Sequence, residues 1–230
     1  MAKKRAKKVA IFVHGWDATS AVWNQPKSNP NAIKRLFEER GYLVDQLDLP
    51  GKFMAHDKDF YYYARFLAKE IEKYVVPGSL SPQDEGWADE INLVCHSMGG
   101  IVALLYLRDD IGDPEAKKRI TRVITIASPF HGTSVPIKQV AHVLIPGIGD
   151  ITFDVFMNRI VACYQQAQLA GPFMRRLHSL PDSTPNIKFH CIWTRGDVVV
   201  APNHTAVLDG ASNYYIDSAR VGHADIMWNR

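Results

Sequence analysis

Cysteine is scarce in this 230-residue chain, and its three copies, Cys95, Cys163 and Cys191, are odd in number and far apart. That pattern excludes a disulfide framework and leaves no pair at zinc-ligand spacing, so no metal ligand is assigned. Hydrophobic runs are short as well. None approaches the roughly 18 apolar residues of a bilayer-spanning helix. The run Val9-Ala10-Ile11-Phe12-Val13 follows a basic start but is brief and has no small-x-small cleavage site after it, so it reads as a strand and not a leader. Cytoplasmic residence is the expectation. A large excess of either charge is missing too. Five of the 27 cations lie in the first eight residues, leaving 22 against 24 anions in the rest. Residues 1–7 therefore read as a solvated basic tail, and no nucleic-acid partner is expected for a near-neutral body. Internal repeats and low-complexity segments are absent.

What is present is an ordinary globular composition, 47% hydrophobic and 22% charged, enough for one domain with a sizeable core. Short β-rich runs alternate with helical stretches, the pattern of a mostly parallel sheet with helices on both faces. Six strands are expected: Lys8 to Val13, Tyr42 to Leu47, Ile91 to Val94, Arg122 to Ala127, Ile187 to Thr194 and Asn213 to Ile216. Asn29 and Pro30 can start a helix that Gly41 ends. Asp57 is the expected cap of a longer one, whose apolar stripe runs from Phe60 through Leu67 and Ile71 to Tyr74 before Pro77-Gly78. The segment 135–185 breaks the short-loop rhythm. It is either a lid-like insert or a pair of helices packed on the sheet.

The chemistry centres on Cys95-His96-Ser97-Met98-Gly99-Gly100, set between a strand-like and a helix-like apolar run. A serine presented on a sharp strand-to-helix turn needs small residues two before and two after it, and Cys95 and Gly99 satisfy that demand. The plainer reading of Ser97 is an ordinary helix cap. A nucleophilic serine also needs a histidine to take its proton and a carboxylate to orient that histidine. Among nine histidines, His223 stands out in a glycine-flanked loop after the last strand. His96, as the serine's neighbour, is expected to point away from it, and His190 to sit in the core. Asp197 follows the fifth strand directly; Asp217 and Asp225 compete with it. The order Ser97, Asp197, His223 matches α/β-hydrolases and neither the chymotrypsin nor the subtilisin arrangement. Backbone N–H groups of Met98 and Trp16, the latter after His14-Gly15, are the expected oxyanion donors.

These residues resemble the small bacterial lipases and esterases of the α/β-hydrolase fold, the lipase class 2 type. The likeness runs through His14-Gly15-Trp16, the Ser97 elbow, Ser128-Pro129-Phe130-His131-Gly132-Thr133, Gly196-Asp197 and Gly222-His223. It implies a Ser-His-Asp carboxylester hydrolase without a cofactor, acting on a small carboxyl ester or acylglycerol, with transient contact to a lipid interface. Thioesterase, amidase or acyltransferase chemistry would use the same triad, and a catalytically silent binder is the alternative from another class. The apolar residues Ile145, Ile148, Phe153 and Phe156 are the candidate acyl contacts.

Overall fold

A computed structural model of the chain describes residues 7–16, 18–24, 33–50, 58–75, 88–135, 166–168, 170–180 and 186–228. Strands β1 (Lys8–Val13), β2 (Tyr42–Leu47), β3 (Glu90–His96), β4 (Ile120–Ile126), β5 (Lys188–Thr194) and β6 (Ser212–Ile216) form one sheet. Their order is β2-β1-β3-β4-β5-β6, with every neighbouring pair parallel. All six expected strands are present, with ends shifted by at most two residues.

A strand's side chains alternate between the two faces of its sheet, so each inner strand supplies two cores. On β1, Val9, Ile11 and Val13 enter one core while Ala10 and Phe12 enter the other. The first core is covered by α2 (Phe60–Glu72) and α3 (Met98–Arg108). The second is covered by Ile33 and Phe37 of α1 (Ile33–Glu39), by Trp23 and by Ile226 and Met227 near the C-terminus. A fourth helix, α4 (Pro114–Lys118), leads into β4. The expected doubly covered parallel sheet is thus observed.

Two local expectations are corrected. The cap of α2 is Asp59, whose side chain accepts from the Tyr62 N–H at 2.8 Å, and Asp57 lies outside the described residues. The helix ends at Glu72, so Tyr74 is not on its stripe; its hydroxyl donates to Asp45 Oδ2 on β2 at 2.6 Å. Both errors arise because periodicity reports which residues are buried, whereas a helix end depends on who satisfies its free backbone groups. Here the Phe60 N–H is met from far along the chain by Gln166 Oε1 at 2.9 Å.

Gln166 belongs to the 135–185 segment, and other described residues of that segment also join the core beside α2. Met174 and Leu177 are fully buried in the α2 core, and Phe173 stacks on Phe60 at 5.5 Å. Residues 136–165, including Ile145, Ile148, Phe153 and Phe156, lie outside the described residues, as do Asn29, Pro30, Pro77, Gly78 and residues 1–6 of the tail. Among the described residues no helix is long and apolar enough to cross a membrane.

The strand order sets the place of the site. The chain leaves β1 for β2 on one side and returns to β3 on the other. A crevice therefore opens outside the carboxyl ends of β1 and β3, the usual ligand position in an open α/β sheet.

Candidate active site

The register pairs Val13 with Cys95, so the loops that follow β1 and β3 emerge side by side. Ser97 is the single residue between β3 and α3. Its backbone has φ 53° and ψ −123°, a sparsely populated conformation that costs a non-glycine residue about 1–3 kcal/mol. Surrounding bonds hold it there: the Ser97 N–H donates to Ile126 O at 2.8 Å, and Ser97 O accepts from the Gly100 N–H at 3.1 Å. As a plain helix cap, Ser97 would have extended backbone and a side-chain bond into the first turn. It has neither.

The elbow is tight against β1. A Cβ on Gly99 would stand 2.5 Å from the main-chain oxygen of Val13 and 2.9 Å from that of His14. Main chain cannot move aside as a flexible side chain can. Gly99→Ala is therefore expected to destabilise the protein by about 1–3 kcal/mol, read as a fall in melting temperature of roughly 2–10 °C. An unchanged melting temperature would show that the elbow has room. Cys95, at the other small position, is fully buried, and burial pushes its thiol pKa well up. A protonated thiol is a poor nucleophile, so Cys95 is a spacer in the turn and no rival to Ser97.

A hydrogen-bond chain runs from Ser97 into the protein. Ser97 Oγ lies 2.9 Å from His223 Nε2, and His223 Nδ1 lies 2.8 Å from Asp197 Oδ2. The side chains of His223 and Asp197 are each only 3% exposed, so water is excluded from the bond between them. The other carboxylate oxygen, Asp197 Oδ1, accepts from the N–H groups of Val199 and Val200, both at 2.9 Å. With Nδ1–H given to the carboxylate, Nε2 is left to accept the serine proton, the tautomer that a general base requires.

The approach of the two loops has a steric basis. A Cβ on Gly196 would lie 2.5 Å from Val221 O, which shows how closely the turn after β5 meets the strand exit before His223. Thr194 Oγ1, at the end of β5, is 3.1 Å from the same oxygen. The competing acids are engaged elsewhere. Asp225 Oδ2 accepts from the Gly222 N–H at 3.2 Å and so shapes the histidine's loop. Asp217 pairs with Arg195 at 3.0 Å on the surface.

Gly15 closes the other side of the crevice. A Cβ there would stand 2.8 Å from Ser97 Cβ, so only glycine lets this loop lie against the serine. His14 beneath it is fully buried; its Nδ1–H donates to Gly15 O at 2.7 Å and its Nε2 accepts from the Leu49 N–H at 3.0 Å. Burial lowers its pKa, which suits a neutral ring holding the loop by both nitrogens. Next in the chain, Trp16 packs with Val135 and Val199 in a small apolar cluster. Among the described residues no group of three or more His, Cys, Asp or Glu side chains could hold a metal ion.

His96 Nε2 lies 2.9 Å from the main-chain oxygen of His223, with the two ring centroids 4.8 Å apart, a contact that its place beside Ser97 in the chain does not disclose. The expectation that His190 sits in the core is corrected. His190 is half-buried and stacks at 5.9 Å on Tyr214 of the edge strand β6, whose residues are mostly exposed.

Residues 48–150, which contain the elbow, match the family model described as the PGAP1-like alpha/beta domain. No curated protein matches the chain. Solved structures similar to it include Aspergillus fumigatus lipase B, at 18% identity and a TM-score of 0.62, covering 97% of this chain and 50% of that one. A Bacillus licheniformis lipase in its mature form is similar at 22% identity and a TM-score of 0.58, covering 97% and 88%. A lipase-esterase related protein from Clostridium acetobutylicum is similar at 14% identity and a TM-score of 0.58, covering 99% and 91%. The chain thus spans half the length of the Aspergillus lipase and most of the two bacterial proteins. At these identities the shared feature is the fold, in agreement with the resemblance read from the motifs.

Proposed function

From an α/β-hydrolase fold that carries a serine, a histidine and an aspartate in one hydrogen-bond chain, we propose that this protein is a serine carboxylester hydrolase. The observation that carries the reading is that chain itself, with spacings of 2.9 Å from Ser97 Oγ to His223 Nε2 and 2.8 Å from His223 Nδ1 to Asp197 Oδ2. Both fall within the reach needed for proton transfer.

In the proposed reaction Ser97 Oγ attacks the ester carbonyl carbon while its proton passes to His223 Nε2. The imidazolium that forms is stabilised by the buried Asp197 carboxylate. The tetrahedral oxyanion is met by the backbone N–H groups of Met98 and Trp16. Met98 is the first residue of α3, so its N–H has no intrahelical acceptor, and Trp16 follows the glycine packed on Ser97. His223 then returns the proton to the leaving alcohol, and an acyl group remains on Ser97. A water gives a proton to Nε2, attacks the acyl carbon and releases the carboxylic acid with Ser97 restored. Every step is proton transfer and acyl transfer, and no cofactor is consumed.

An apolar acyl group is the substrate feature favoured by the lining. Trp16, Val135 and Val199 pack together beside the elbow, and Val198, next to Asp197, is an apolar side chain left 60% exposed. Ile145, Ile148, Phe153 and Phe156 are proposed as further acyl contacts on their apolar character alone. Transient contact with a lipid interface belongs to the same proposal. Two measurements test it. A fluorophosphonate probe should label the protein, with the adduct on the peptide containing Ser97; labelling elsewhere or none would refute the mechanism. Hydrolysis of p-nitrophenyl esters from acetate to palmitate, with an emulsified triglyceride alongside, then sets the class. Preference for short soluble esters makes it an esterase, and turnover of thioesters or anilides but not of esters would remove the ester assignment.

A further inference from the structure

The proposed reaction leaves one buried titratable side chain at the site without a role, His96. Its Nε2 lies 2.9 Å from the main-chain oxygen of His223. A carbonyl only accepts, so Nε2 carries the proton and donates it. The two rings are tilted by 49° with centroids 4.8 Å apart. The other ring nitrogen, Nδ1, is buried without a hydrogen-bond partner and sits 3.1 Å from where a Cβ on Gly15 would be. Trp23 closes the far side edge-on at 6.5 Å. One rigid ring, covalently next to Ser97, therefore touches the Gly15 loop and holds the loop that carries His223.

We infer that His96 is a positioning residue for the proposed reaction: through its Nε2–H it holds the main chain of His223 and thereby sets the approach of that imidazole to Ser97 Oγ. The inference rests on the serine-hydrolase reading. His223 comes from a loop after an edge strand whose residues are mostly exposed, and 126 residues separate it from Ser97. The serine and its base are thus parts of two loops with no common strand pairing. A misplacement of about 1 Å between reacting groups can cost about 10²-fold in rate. The bond from His96 ties the histidine loop to β3, the strand that carries the serine.

The charge state of His96 fits the task. The titratable groups facing it are His223, Asp197 and His14, and burial, with His223 adding repulsion, pushes its pKa down to about 3. The ring stays neutral when His223 takes up the serine proton, so it adds no positive charge beneath the imidazolium. Being neutral, it has a single N–H, and the His223 carbonyl receives it.

Positioning and mere packing make opposite predictions for two substitutions of similar length. His96→Gln keeps an N–H near the place of Nε2, whereas His96→Met keeps the bulk and apolarity without a donor. On p-nitrophenyl butyrate, His96→Met is expected to lower kcat by about 10- to 100-fold with KM within about threefold of wild type, and His96→Gln to recover kcat to within about threefold. Thermal unfolding of each variant sets the folded fraction to which rates are referred. If His96→Met does not fold, His96→Asn is read in its place, since its amide falls short of the carbonyl and should be slow as well. Wild-type kcat in the donor-less variant, or equal loss in the Gln and Met variants, would overturn the inference. Ser97→Ala is measured alongside. Retained turnover there brings down the serine-hydrolase reading itself, whereas loss in Ser97→Ala with full rate in His96→Met removes only the positioning role.

Discussion

Ser97→Ala is expected to lower the turnover of p-nitrophenyl esters by at least about 10⁴-fold while leaving the protein folded. The substitution removes the attacking atom and little else. Ser97 Oγ has His223 Nε2 as its hydrogen-bond partner and makes no cap bond to α3, so the helix loses no support. Alanine is no more strained than serine at φ 53°, because both carry a Cβ. Residual catalysis from oxyanion stabilisation and binding is about 10³- to 10⁴-fold over water, which sets a floor and not zero. A variant with near-normal turnover would show that Ser97 is not the nucleophile. His223→Ala should fall to the same level, because a base without its nucleophile and a nucleophile without its base fail alike.

Asp197→Asn should cost about 10⁴-fold in kcat with the fold intact, and the geometry states why. Oδ1 is bound by the N–H groups of Val199 and Val200, and an asparagine carbonyl can keep both bonds. Its NH₂ must then occupy the place of Oδ2, facing His223 Nδ1. A donor there makes Nδ1 the acceptor and moves the ring proton to Nε2, where it blocks transfer from Ser97. The base is present in the wrong tautomer. Asp217→Asn is the control: its carboxylate is 70% exposed and pairs with Arg195 on the surface, where such pairs contribute little, so activity should stay within about twofold. The reverse outcome, a harmless Asp197→Asn and a crippling Asp217→Asn, would move the acid to Asp217.

Much of this was legible along the chain, for local reasons. The inner strands β1, β3 and β4 could be read because burial on two faces demands runs of Val, Ile and Leu, and the edge strands because β-branched and aromatic residues stand between turn residues. The Ser97 elbow could be read because Cys95 and Gly99 must be small for steric reasons intrinsic to a strand-to-helix turn. The end of α2 could not, since Asp59 and the distant Gln166 satisfy its first N–H groups. Nor could His96. Period two assigns it a sheet face but is silent on which loop comes back over that face.

Local chemistry thus determined that Ser97 stands on a tight turn and that His223 and Asp197 lie in loops after strands. Only the tertiary structure chose Asp197 over Asp217 and Asp225 and joined it through His223 to Ser97 in one hydrogen-bond chain. That choice depends on strand order and on contacts such as Gly196 against Val221 O. Such contacts join segments far apart in the chain, and the spacing of residues within any one segment carries no record of them.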